Sequence, residues 1–157
     1  MHVNARAIIE RESSNGREIV IQIRNKPHEG GKWIELPGGH VEEYESLLEA
    51  VKREVREETG LDLVEIEGEN TKIEAVGPDT KVECLVPLAV YQTIRGPVDS
   101  IGVYFRCKAE GHLQTIGDDT ESVQWMPVES LRQWVEKEPA QFSWIDRAGL
   151  LFYLKPG

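Results

Sequence analysis

The chain is poor in cysteine, in positive charge and in long apolar runs. Its two cysteines among 157 residues, Cys84 and Cys107, form no CxxC pair, so neither a disulfide framework nor a zinc site is expected. Both fall in strand-like apolar segments and read as buried, reduced thiols. No apolar stretch approaches the roughly 20 residues of a membrane-spanning helix. The opening MHVNARAIIERESSNG is broken by arginine and glutamate where a secretory signal would stay apolar. A cytoplasmic protein is the expectation, with no membrane partner.

Lysine and arginine total 18 against 28 aspartates and glutamates, a formal net charge of -10. That balance argues against a nucleic-acid polymer or an anionic lipid surface as partner. A small anionic substrate stays open, provided cations bridge the two negative parties, and that points to metal ions. GGKW (30–33) lacks the rest of GxxxxGK[ST], which removes a P-loop phosphotransferase. Without internal repeats or low-complexity linkers, residues 1–157 read as one domain.

ARAIIERE (5–12) and REIVIQIR (17–24) are β-rich runs joined by SSNG, whose Asn15-Gly16 is a hairpin signal. IELPGGHVEEYE (34–45) reads as a short strand and then a glycine turn. Ser46 heads a helix, with Glu49 three residues on completing a capping box, and Gly60 follows its C-terminus. Further strands are expected in 62–77, 82–94, 100–111 and 122–128, and two helices in 129–138 and 143–154, the second capped by Ser143. Strands do not alternate strictly with helices, so a mixed sheet covered by helices fits better than a doubly wound parallel one.

The helix ending REVREETGL (53–61) is acidic where the macrodipole disfavours acids. At about 100° per residue, Leu48, Val51 and Val55 form the apolar side, while Glu49, Lys52, Arg53 and Arg56 fall toward solvent. Glu54 and Glu58 land on or beside the apolar arc, with Glu57 just beyond. Carboxylates near low dielectric repel and tend to take up protons. A hard divalent cation reverses that penalty, using carboxylate, carbonyl, water and phosphate oxygens. The PGGH segment (37–40) supplies a backbone carbonyl able to complete such a site.

GGHVEEYESLLEAVKREVREETGL (38–61) resembles the Nudix box of the MutT-like hydrolases. The motif is a glycine, five residues, a glutamate, seven residues, then Arg-Glu-aliphatic-any-Glu-Glu-any-Gly-aliphatic. Gly39, Glu45, Arg53, Glu54, Val55, Glu57, Glu58, Gly60 and Leu61 hold those places without mismatch. Tyr44 departs from the glycine many members carry there. The resemblance implies an α/β/α sandwich with helices on both faces of a mixed sheet. It also implies Mg²⁺-dependent (or Mn²⁺-dependent) hydrolysis of a nucleoside diphosphate linked to another group. In that likeness Glu54, Glu57, Glu58 and the Gly38 carbonyl hold metal, Arg53 orients the carboxylates, and Glu45 fixes the loop against the helix.

Family members draw the general base either from a box glutamate or from a loop acid. Both remain open for this chain, as Glu54 and Glu57 or as Glu121, which outranks Asp118 and Asp119 in GDDTESVQW (117–125). Arg24 and Trp33 are candidate substrate contacts. Arg6, Arg95, Arg147, Tyr91, Tyr104, Phe105, Trp125 and Trp144 are weaker ones, since aromatics at this density are more often core. Nucleoside triphosphates are the favoured substrates, ADP-ribose or nucleotide sugars the next, and a non-nucleotide diphosphate stays open. The alternative is a non-catalytic Nudix-fold nucleotide sensor, and dimers are common in such proteins.

Overall fold

A computed structural model describes residues 1–26, 31–114 and 120–157, the side chains of Lys26, Thr120 and Glu121 aside. Its elements in chain order are β1 (His2–Ser13), β2 (Gly16–Lys26), β3 (Gly31–Glu35), β4 (Gly38–His40), α1 (Leu47–Thr59), β5 (Asp62–Ile66), β6 (Ile73–Val76), β7 (Lys81–Cys84), β8 (Ala89–Gln92), β9 (Ser100–Glu110), β10 (Thr120–Pro127), α2 (Val128–Lys137) and α3 (Trp144–Leu154).

The main sheet runs β10-β2-β1-β9-β5, with β3 on β2, β4 on β1 and β8 on β9. Only β1 and β9 run parallel, from His2 opposite Ser100 to Ile9 opposite Cys107, and the other pairs are antiparallel. The mixed sheet is therefore as expected. β1 and β2 form a hairpin in which Gly16 takes a left-handed φ of 87°.

Period-two alternation sends side chains of one strand to two cores. Ala5, Ala7 and Ile9 of β1 and Val20 of β2 pack under Leu48, Ala50, Val51 and Val55 of α1. Ile8, Ile19 and Ile21 point the other way, onto Val128, Leu131 and Val135 of α2 and Leu150 and Leu154 of α3. Helices thus cover both faces of the sheet. Among the described residues no helix is long and apolar enough to cross a membrane.

The caps follow the sequence reading. Ser46 Oγ accepts from Glu49 N at 3.0 Å, Gly60 closes α1 at φ 81°, and Ser143 Oγ accepts from Asp146 N. Two expectations change. The PGG segment is not a free turn, because Gly38–His40 forms β4 against Asn4–Arg6. Cys84 is exposed while Cys107 is buried. Cys84 lies in the separate two-stranded sheet of β6 and β7, whose residues are largely exposed.

On α3, an added Cβ at Gly149 would sit 2.7 and 2.8 Å from Cε1 and Cε2 of the Tyr104 ring. That ring is buried, and its hydroxyl donates to Ile145 O and Asp146 Oδ1, both at 2.9 Å, so it has no room to yield. Alanine favours a helix interior over glycine by about 1 kcal/mol, but forced overpacking costs about 1–3 kcal/mol. Gly149→Ala is expected to lower the urea midpoint, and an unchanged or raised midpoint would show that α3 docks less tightly than this.

Candidate active site

The site forms where β4 meets α1. Gly38 and Gly39 lie so close to their neighbours that a Cβ on either would force a shift, of the β1 backbone at Gly38 and of the Glu54 side chain at Gly39. A Cβ on Gly38, at φ 147°, would lie 2.5 Å from Ala5 O and 2.6 Å from Arg6 Cα. A Cβ on Gly39 would lie 2.7 Å from Cδ and Oε2 of Glu54. The bare glycine therefore serves as the seat for the Glu54 carboxylate.

Arg53 organises the rest. Its Nε and Nη2 donate to Glu45 Oε2 and Oε1 at 2.8 and 2.9 Å, a bidentate pair, while Nη1 reaches Glu54 Oε1 at 2.9 Å and Glu57 Oε2 at 3.5 Å. Nη2 also donates to His40 O at 3.0 Å, which binds β4 to the helix. Glu45 Oε1 further accepts from Glu42 N, closing the loop on itself. The Arg53 hydrogen bond holds the Glu45 carboxyl below its ordinary range, and Glu45 in turn holds the guanidinium protonated. The helical projection sent Arg53 toward solvent. It is instead half-buried, because its long side chain folds back along the helix onto four oxygen-bearing partners.

Glu58 points into the protein. Gln22 Nε2 donates to it in a short hydrogen bond, and Arg24 Nη2 lies 3.7 Å from Glu58 Oε1. Gln22 Nε2 also donates to Glu35 Oε1 at 3.1 Å, and Arg24 Nε makes a short bond to the same oxygen. Burial, opposed by Gln22 and Arg24, pushes the Glu58 carboxyl up from 4.5 to about 8. Glu57 stays 51% exposed, and its carboxylate meets Arg53 Nη1 at the edge of the site. Trp33 is half-buried on β3, with Arg24 as its cross-strand partner.

Other expected positions divide clearly. Tyr91, Tyr104 and Phe105 are core, and the largely buried Arg6 side chain pairs with Asp146. Arg95 is exposed, Trp125 carries the Arg11 guanidinium at 4.2 Å, and Trp144 carries that of Arg147 at 5.3 Å. Asp118 and Asp119 lie outside the described residues. Glu121 lies in β10, where the register shifts between Thr120 and Ser122, and its side chain is not among those described. Tyr44 is fully exposed at φ 60°, so the left-handed turn that suits glycine survives the substitution. Glu35 and Gln22 were missed. The available signal was a polar side chain in each of two otherwise apolar strand segments, IVIQI and WIEL.

Among the described residues, no three His, Cys, Asp or Glu side chains already converge as a metal cage. Glu54 leans on Gly39 and Arg53, and Glu58 on Gln22 and Arg24. The donor chemistry nevertheless fits a hard divalent cation. All the donors are oxygens, and Gln22 Oε1 is buried without a hydrogen-bond partner beside two carboxylates.

Below pH 4.5 the Glu58 carboxyl is protonated in the folded and the unfolded chain alike. Between 4.5 and about 8 only the unfolded chain ionises it freely, so stability falls as pH rises through that window. In metal-free buffer, Glu58→Gln is expected to gain on the wild type by on the order of 2–4 kcal/mol from pH 4.5 to 8.5. Urea unfolding across that range checks this, and a pH-independent difference would contradict it.

Comparison with known proteins follows the same lines. The NUDIX domain model matches residues 1–147. The 8-oxo-dGDP phosphatase NUDT18 of Danio rerio is 49% identical over 49 residues, which is 31% of this chain and only 15% of that protein. The NUDIX domain of Shewanella oneidensis NrtR, solved with ADP ribose, superposes with a TM-score of 0.69 at 17% identity, covering 98% of this chain and 86% of that one. A MutT NUDIX hydrolase from Burkholderia pseudomallei gives 0.61 at 19% identity over 95% of each chain. The E. coli ORF135 protein gives 0.64 at 22% identity over 98% and 89%. At such identities the structural likeness carries the fold, and the family rests on the domain match along nearly the whole chain: this protein belongs to the NUDIX domain family.

Proposed function

We propose that the chain is a divalent-metal-dependent hydrolase of a pyrophosphate bond in a nucleoside diphosphate linked to a further group. The observation that carries the reading is the seating of Glu54 on Gly39. It sets a helix carboxylate against the backbone of the glycine strand, with Glu57 and Glu58 on the same stretch of helix. Carbonyl and carboxylate oxygens of Gly38, Glu54, Glu57 and Glu58 would hold Mg²⁺, or Mn²⁺ in its place. Such an ion neutralises non-bridging phosphate oxygens and lowers the pKa of the attacking water.

The remaining work belongs to the chain. Glu45 clamps Arg53, and Arg53 holds Glu54 and Glu57 toward β4 as acceptors. Gln22 and Arg24 hold Glu58 turned inward. A general base must accept the proton of the attacking water. Glu54, Glu57 and Glu121 are the candidates, and Glu57 is the most open to solvent of the box acids. Arg24 and Trp33, adjacent across β2 and β3, are the proposed contacts to the substrate. ADP ribose, found with the NrtR domain, and 8-oxo-dGDP, named for the Danio rerio relative, both contain a nucleoside diphosphate. They support this substrate class for the present chain, with nucleoside triphosphates offered first.

A panel assay with Mg²⁺ or Mn²⁺ tests the reading. It offers (deoxy)nucleoside triphosphates, oxidised guanine nucleotides, ADP-ribose, nucleotide sugars, dinucleoside polyphosphates and NADH, with products identified. Metal-dependent cleavage at a pyrophosphate is expected, whereas tight nucleotide binding without turnover would make the chain a sensor. Supporting residues around metals typically cost 10–100-fold when removed, so Glu57→Gln or Glu58→Gln is expected to cost about 100-fold or more in turnover with the fold intact. Near-normal activity in either variant would overturn that ligand assignment.

A further inference from the structure

Asp146 is a fully buried carboxylate in the first turn of α3. An acid three residues after the cap commonly reaches back to the cap's own N–H. In this helix that group, Ser143 N, donates to Ile34 O at 2.9 Å, and the Asp146 carboxylate leaves its helix altogether. Oδ2 accepts from Leu36 N at 3.0 Å and from Arg6 Nη1 at 3.4 Å, and Oδ1 accepts from the Tyr104 hydroxyl at 2.9 Å. One carboxylate thus ties α3 to β1, to β9 and to the link between β3 and β4.

That link leads straight to Gly38. Leu36 O accepts from Arg6 Nη1 at 3.1 Å, and Pro37 O accepts from Ala7 N at 2.8 Å. Proline has no N–H, so every backbone polar group of Leu36 and Pro37 is bonded to Asp146, Arg6 or β1. Gly38 then pairs with Arg6 itself. The glycine is fixed from the face of the sheet opposite α1, through the same two side chains that hold each other.

We propose that Asp146, acting with Arg6, is a positioning residue that sets where the Gly38 carbonyl points. The inference rests on the reading of Gly38 as a metal ligand. It gives the C-terminal helix a role in ion binding although no part of that helix belongs to the Nudix box. Charge acts in the same direction. The Arg6 side chain is largely buried and pairs with Asp146, and its field also extends to Glu35 and Glu58. Replacing the carboxylate by an amide loosens the Leu36 amide contact and leaves the arginine charge opposed by less. Both effects weaken a cation held beside Glu58.

The test is Mn²⁺ binding to substrate-free protein, followed by calorimetry or electron paramagnetic resonance, with steady-state kinetics alongside. Asp146→Asn is expected to weaken Mn²⁺ affinity about tenfold or more, in the range typical of residues that orient ligands. It is also expected to lower kcat while KM for the nucleotide stays within about twofold. Leu131→Ala, a packing loss on α2, serves as the stability control and is expected to keep wild-type affinity at matched fraction folded. If Asp146→Asn weakens Mn²⁺ no more than Leu131→Ala does, Asp146 only holds the core and the inference fails, with the site reading intact. A wild type that binds no Mn²⁺ overturns the site reading, and this inference with it. Should Asp146→Asn not fold, Arg6→Lys decides by the same comparison, because the lysine side chain ends one bond short of the Nη1 that both Leu36 O and Asp146 Oδ2 meet. A matching loss of affinity supports the inference, and wild-type affinity overturns it.

Discussion

Gly38 and Gly39 of β4 sit between walls that a Cβ on either would meet. On one side is the β1 backbone at Ala5 and Arg6, and on the other the Glu54 carboxylate. This steric constraint fixes the register of β4, and the register fixes which helix residue the glycine strand meets. Arg53 then locks the arrangement by holding His40 O, Glu45 and Glu54 together. A side chain on either glycine would push β4 off β1 or push Glu54 away, and the site would lose its geometry before its chemistry.

Charge sets the second constraint. Glu35, Glu58 and Asp146 are buried close to two arginines, Arg6 and Arg24. With all ionised, the acids outnumber the bases by one, and buried charge is costly unless it is paired. The protein without metal answers by raising Glu58 until it keeps its proton near neutrality. A cation at the helix would take the place of that proton. On the proposed reading, that cation would offset the cost of acids that oppose the macrodipole of α1.

Much of this could be read from the chain. The spacing from Gly39 to Glu58, the Ser46 and Gly60 caps and the alternation in β1 and β2 are local features. They carried the helix, the hairpin and the spacing of the box into the structure, while the glycine turn became strand β4. What could not be read is set by contacts distant in sequence. Arg53 has a solvent-facing position by helical phase, and only the fold shows its side chain turned back onto Glu45 and His40. Glu35 and Asp146 look like ordinary strand and helix acids until β2, β1 and β9 bring Gln22, Arg24, Arg6 and Tyr104 beside them. Cys84 looks like a core cysteine because its sequence run is apolar, yet its strand belongs to a separate, largely exposed two-stranded sheet.

Anomalous diffraction from crystals grown with Mn²⁺ addresses the central claim most directly. A manganese peak is expected between the Gly38 carbonyl and the carboxylates of Glu54, Glu57 and Glu58, with Glu58 turned away from Gln22. A fully occupied peak elsewhere, or none at saturating Mn²⁺ with Glu58 still bonded to Gln22, would contradict it.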